Sequence, residues 1–520
     1  MKLLQNIFFY LLFTLQVKPL YAQTAKVQWG PETEADKKLY PARFVGRDAR
    51  SIYFVKDTYN PFCPFCPNDQ YLEKYDAESL SLIYSKELKM PEIGENRHVH
   101  FEDLICLSGK LLLFTSFYNK ENNITTAYVQ HVKPDGEPDN DRKQLDEVLA
   151  ENKGEKLDFI FLLSTDSSKI LVFKNQFNKK GTNTRFSYKI IDQDLNELYQ
   201  NSTIELPFVS GDFTVHDYVL DKSGNFYMLT ETVGEKGNWF KDRPSYLYKI
   251  LLMEPNNSAV KEFDIQLEGK TISDMSFKIN SKQDLVAAGF FSNKGRYSDD
   301  LAGTFYLCID GKTREVKSKG FKDFEKGFLQ NVMSVSKAKR GEELRQFKIN
   351  HLLERSDGGA FMVAEQRYVQ TYVSYNGRYT STDYYYNFND LIVASIDTAG
   401  KINWVKMVPK TQVTVNDKGP YSSYSLAISG STANIIFNDN SRNLTIANPR
   451  EYRIFGGVRK STCVLVTLDA QGTMKRRSLL PPTEKPMYPR PKIFLQTLPN
   501  ELLIYSDRGR MFKLMKVGFE

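Results

Sequence analysis

Short apolar runs recur along the whole chain, each rich in aromatic or β-branched residues and most closed by a turn signal. Such runs read as strands. One set comprises Tyr71-Leu-Glu-Lys-Tyr-Asp76, Ala127-Tyr-Val-Gln-His-Val132, Tyr188-Lys-Ile-Ile-Asp192 and Tyr246-Leu-Tyr-Lys-Ile250. It continues with Thr304-Phe-Tyr-Leu-Cys-Ile-Asp310, Ile392-Val-Ala-Ser-Ile-Asp397, Cys463-Val-Leu-Val-Thr-Leu-Asp469 and Met511-Phe-Lys-Leu-Met515. The turn residue is often Asp with Gly soon after, as in Asp397-Thr-Ala-Gly400 and Asp469-Ala-Gln-Gly472. The Asp side chain starts the turn, and Gly tolerates positive φ. Upstream of each copy lies another run, such as Ser51-Ile-Tyr-Phe-Val55, Lys110-Leu-Leu-Leu-Phe114 or Glu501-Leu-Leu-Ile-Tyr505.

The unit is about four strands in roughly 60 residues, and a period of that kind marks a repeat architecture. One such unit cannot bury both faces alone, whereas units stacked radially cover each other. The expected fold is all-β: a β-propeller of eight four-stranded blades, with seven as the alternative count. The last copy runs out after its third strand. Lys26-Val-Gln-Trp29, near the N-terminus, is expected to supply the missing outer strand and so protect open edges. Two separate β-sandwiches are the competing arrangement, but no Pro/Gly/Ser-rich linker divides the chain. Residues 142–153 and 325–347 are polar-rich and read as helices, the second an insertion ahead of the sixth blade.

The first residues change the compartment. Lys2, an apolar stretch from Ile7 to Leu15, and Tyr21-Ala22 before Gln23 have the order of a secretory signal. Residues 1–22 are read as a signal peptide cleaved after Ala22, and 23–520 as a single propeller domain, periplasmic or secreted. The apolar stretch is shorter than the roughly 20 residues a spanning helix needs, so no transmembrane segment is expected. Removing residues 1–22 lowers the formal charge from +7 to +5, with no clustered basic stripe. Nucleic acid is therefore not an expected partner.

Five cysteines are too few for a disulfide scaffold of this length. Cys63 and Cys66, in Phe62-Cys-Pro-Phe-Cys-Pro67, could form a redox dithiol, half a zinc site or a local disulfide. Zinc needs a second pair, and a redox pair needs a helix start that this Pro-rich loop disfavours. A loop-pinning disulfide is the preferred reading. Cys106, Cys308 and Cys463 fall inside strand patterns and read as buried thiols.

Composition adds one signal: 35 Phe and 30 Tyr against 3 Trp. In a propeller with strands A to D running outward, A–B and C–D turns share one face, and B–C loops lie on the other. The B–C loops are chemically richer. The fourth carries Trp239, Phe240 and Arg243, and the fifth Arg296 and Tyr297. The sixth is a hairpin with Tyr372, Tyr375, Tyr379, Tyr384 and Tyr385, and the seventh holds Tyr452 and Arg453. Tyr, Trp and Arg are the residues enriched at binding hot spots, and rings stack on sugars. The expected function is a binding or scaffold module for a protein, peptide or glycan at the envelope. The alternative is a polysaccharide lyase or hydrolase with an axial active site.

No local catalytic motif supports that alternative. The sequence lacks a nucleophile elbow, a zinc-protease helix, a phosphate loop and a calcium loop. His98-Val-His100 is at most half a metal site, so no metal and no cofactor is expected. The stretch Asp383-Tyr-Tyr-Tyr-Asn-Phe-Asn-Asp390, then Ile396-Asp-Thr-Ala-Gly-Lys-Ile-Asn-Trp404 and Lys410-Thr-Gln412, resembles blades of exported propeller-like proteins common in the Bacteroidota. The resemblance spans about residues 355–440. It implies export and a propeller-like fold, and it supplies no catalytic residues.

Overall fold

A computed structural model describes residues 25–520 apart from 37, 59–67, 92–98, 150–158, 176–181, 210, 234–245, 256, 258, 294–299, 334–335, 337–341, 376–378 and 482–485. Among the described residues the chain forms eight antiparallel sheets of four or five strands and one two-stranded ribbon. Seven of the eight are each built within one continuous segment: 39–87, 100–149, 159–209, 213–265, 271–323, 347–415 and 425–478. We number these sheets 1 to 7. Sheet 8 takes Tyr488–Leu498, Glu501–Arg508 and Met511–Phe519, and its outer edge is the N-terminal strand Ala25–Trp29. Val27 lies opposite Val517 in that pairing, and Trp29 opposite Met515.

The apolar runs follow from how the sheets stack. In Lys110–Asn119 the run from Leu111 to Phe117 is buried throughout, because successive side chains point to opposite faces and both faces are covered. Leu111 and Leu113 pack with Tyr53 and Leu72 of sheet 1, while Leu112 and Phe114 pack with Ile170 and Val172 of sheet 3. The same sharing joins sheets 3 and 4, 4 and 5, 5 and 6, 6 and 7, and 7 and 8. A further cluster joins the last sheet to the first: Phe54 and Tyr75 pack with Leu503 and Leu514. Outer strands have one solvated face and alternate, as Leu82–Glu87 does.

The innermost strands approach each other. Leu39–Arg47 lies beside both His100–Leu107 and Tyr488–Leu498, and Phe213–Leu220 beside Phe159–Leu163 and Thr271–Ile279. The Asp turns form as the residues dictate. Asp397 Oδ1 accepts from the amides of Ala399 and Lys401 at 3.0 and 2.9 Å, and Gly400 takes φ 83°.

Two expected helices are corrected. Residues 142–149 do not form one: Pro138–Leu149 is the outer strand of sheet 2, and 150–153 lie outside the described residues. Bulges between Pro138 and Arg142 and between Gln144 and Asp146 break its alternation. Leu145 and Val148 are therefore buried at a spacing of three, which imitates a helix. Within 325–347 only Lys326–Val332 is a described helix. Leu344–Arg345 pairs with Asp300–Leu301, and Phe347 already begins the inner strand of sheet 6.

Candidate functional site

The tyrosine-rich hairpin projects from sheet 6. Its strands, Ala360–Tyr375 and Thr380–Ile396, are the longest described. Their inner halves are buried among sheets 5 and 7. Their outer halves continue pairing from Arg367 opposite Phe388 to Tyr375 opposite Thr380. Register sorts the side chains. Val369, Thr371, Val373 and Tyr375 share one face with Thr380, Thr382, Tyr384 and Tyr386, and none of these is charged. Tyr372 and Tyr385 share the other face, with ring centres 4.9 Å apart in an edge-on contact.

The tip is solvated: Tyr372 is 56% exposed, Val373 66%, Tyr375 72%, Tyr379 74% and Tyr384 44%. The strand Gln412–Val415 pairs along the hairpin root at Tyr385 to Phe388. A sealed polar network lies beneath it. The Lys410 ammonium, fully buried, donates to Glu365 Oε1 at 2.8 Å, the Phe388 carbonyl at 2.7 Å and Gln412 Oε1 at 3.0 Å. Ser423 Oγ donates to the second oxygen of Glu365 at 2.8 Å, and Gln412 Nε2 donates to the Asn438 carbonyl at 2.7 Å. Burial lowers the pKa of Lys410. It also pushes the neighbouring Asp390, which accepts the Lys410 amide, up to about 6. The hairpin thus has a fixed root and an exposed outer half with one uncharged face.

The other expected loop residues divide. Trp239, Phe240, Arg243, Arg296 and Tyr297 lie outside the described residues, as do Cys63, Cys66 and His98. Tyr452 is partly buried, with its ring 4.9 Å from the Arg476 guanidinium. Arg453 is exposed, but its backbone is tied to Asn443 on both sides, by a 2.7 Å and a 2.9 Å bond. Cys308 and Cys463 are buried free thiols, and Cys106 is a half-buried one.

Sequence reasoning missed the inner strands. Asp103, Asp217 and Asp274 each follow a bulge, on the inner strands of sheets 2, 4 and 5. Burial raises the pKa of all three. His216 Nε2 lies 2.7 Å from Glu231 Oε2, and that bond lowers the Glu231 carboxyl. Asp274 accepts the Ile349 amide at 2.9 Å, and Lys348 acts electrostatically on both acids. The signal was an acid just ahead of an apolar run, which the bulge hid by shifting the alternation. Among the described residues no group of His, Cys, Asp and Glu is placed to hold a metal. No described helix is long and apolar enough to cross a membrane.

No family model matches the chain, and no curated protein matches it. Solved structures do. The WD40 domain of SCAP from fission yeast is 9% identical, with a TM-score of 0.41, covering 95% of this chain and 98% of that one. An acylaminoacyl peptidase from Pyrococcus horikoshii is 11% identical at 0.34, covering 91% of this chain and 59% of that one. An α-L-arabinanase from Penicillium chrysogenum, complexed with arabinobiose, is 11% identical at 0.29, covering 56% and 98%. These likenesses assign no activity to this chain.

Proposed function

We propose that the protein is an exported eight-bladed propeller, closed by its N-terminal strand, that binds a protein, peptide or glycan at the envelope through the hairpin 368–386. One observation carries the binding reading. The hairpin presents exposed Val and Tyr side chains on a face without charge, in a chain that is 26% charged. Exposed apolar patches on a rigid scaffold mark contact surfaces. The packing of each sheet on the next, and of the last on the first, supports the ring. The apolar leader from Ile7 to Leu15 supports export. Binding to glycan and peptide arrays, with Tyr384→Ala and Trp239→Ala variants, tests the reading. Loss of binding in Tyr384→Ala is expected. Unchanged binding in both variants removes these loops as the site. Export predicts a mature N-terminus at Gln23 and a Cys63–Cys66 link in non-reduced protein, both read by mass spectrometry. Two free thiols in periplasmic material would sink the disulfide.

A second reading rests on Glu231, on the second strand of sheet 4, and Asp274, on the inner strand of sheet 5. Glu231 is held ionised while Asp274 is held toward its neutral form, the division of labour that acid–base hydrolysis uses. A polysaccharide lyase or hydrolase working at the axis would lose its turnover in both Glu231→Gln and Asp274→Asn. A screen of acidic and neutral polysaccharides in which no polymer is cleaved counts against it.

A further inference from the structure

A cavity opens where inner strands turn into second strands, at the end of the sheets away from the hairpin. Turns of four consecutive sheets, 5 to 8, line an open depression of about 680 Å³. That volume is typical of small-molecule sites. Its charged lining is Lys278 and Lys282 from sheet 5, with Glu354, Arg355 and Asp357 from sheet 6.

The acids are already occupied. Both oxygens of Glu354 accept from Ser281, from its amide at 2.9 Å and its hydroxyl at 2.6 Å. Asp357 takes two bonds of 3.0 Å from the Arg355 guanidinium and a third from the Gly359 amide. Arg355 is itself buried, with its guanidinium 5.1 Å from the Phe361 ring. Gln496 is committed to the backbone of Ile428. The two lysines differ from these: Lys278 and Lys282 reach the cavity wall from one strand and its turn. Lys278 is largely withdrawn from water, and burial lowers its pKa against the pull of Glu354. Glu354 compensates this half-dry ammonium only in part, so an anion in the open cavity would complete the compensation.

We propose that this cavity is a binding site for a small anionic ligand, with the Lys278 and Lys282 ammoniums contacting its carboxylate or phosphate group. The site is independent of the hairpin and lies on the opposite end of the sheets. Both sources of negative charge fit the same two ammoniums.

The test uses the full chain and thermal unfolding at fixed ionic strength, with inorganic phosphate, citrate or neutral glucose added to about 20 mM. A saturable rise in Tm with phosphate, with citrate, or with both is expected, and none with glucose. Phosphate alone or citrate alone identifies the preferred group. Lys278→Gln and Lys282→Gln should each raise the apparent Kd about tenfold or more. Without ligand, Lys278→Gln should unfold at or above the parent Tm, since a half-buried charge is removed; this shows that the fold is intact. The proposal is overturned if neither anion shifts Tm, if glucose shifts it equally, or if the anion effect survives both substitutions.

Discussion

Lys410 shows how one residue fixes a larger feature. Its ammonium and the Glu365 carboxylate are both withdrawn from water, at 0% and 1% side-chain exposure. Removing one partner leaves the other charged and dry, which costs about 3–5 kcal/mol. Lys410→Met is therefore expected to lower the unfolding free energy by that amount in urea titration. Adding Glu365→Leu should restore much of it. His351 gives a pH signature. It makes edge-on contacts with the rings of Tyr424 and Phe494, and burial lowers its pKa to about 4. The unfolded chain protonates this residue below about pH 6.5. Between those limits the unfolded state binds the extra proton, so stability falls as pH drops from about 6.5 to about 4, by up to about 3 kcal/mol. Asp390 acts oppositely: its stabilising share is present below about pH 4 and fades as pH rises through about 6. His351→Phe isolates the first effect. The variant should lose less stability than the parent between about pH 7 and about pH 4.5, measured by equilibrium unfolding. Parallel losses would refute the assignment.

Among the elements, legibility followed regularity. Second strands such as Leu285–Ser292 were readable because burial on both faces leaves an unbroken apolar run. The hairpin was readable because Tyr, Val and Thr keep their alternation out to Tyr375. Bulged strands were not, because one extra residue reverses the facing of all that follow. That single cause accounts for the false helix over 142–149 and for the overlooked Asp103, Asp217 and Asp274. The hairpin offers a clean separation of folding from binding. Val373→Lys puts a charge on its uncharged face at a position 66% exposed. It should change unfolding free energy by no more than about 0.5 kcal/mol. Ligand capture on the arrays should nevertheless be lost. Retained capture would move the contact surface elsewhere.

For the whole molecule, the repeat was visible as a period, but closure was legible only as an incomplete last copy. What meets at the seam is informative. Lys56 of sheet 1 pairs with Glu73 at 2.8 Å while its ammonium sits 3.6 Å from the Phe512 ring of sheet 8. Both side chains are nearly unexposed, so the last sheet shields a charge pair of the first. The central claim is that the chain returns on itself, with Ala25–Trp29 completing sheet 8. The paired substitutions Val27→Cys and Val517→Cys test it most directly, because these residues are Cα partners. Oxidation of the folded double variant should join the two introduced thiols, read by peptide mass spectrometry as a crosslink between the N-terminal and C-terminal strands. The same crosslink should be absent when the chain is oxidised in denaturant at the same dilution. Failure to form it in the folded protein would contradict the closed ring.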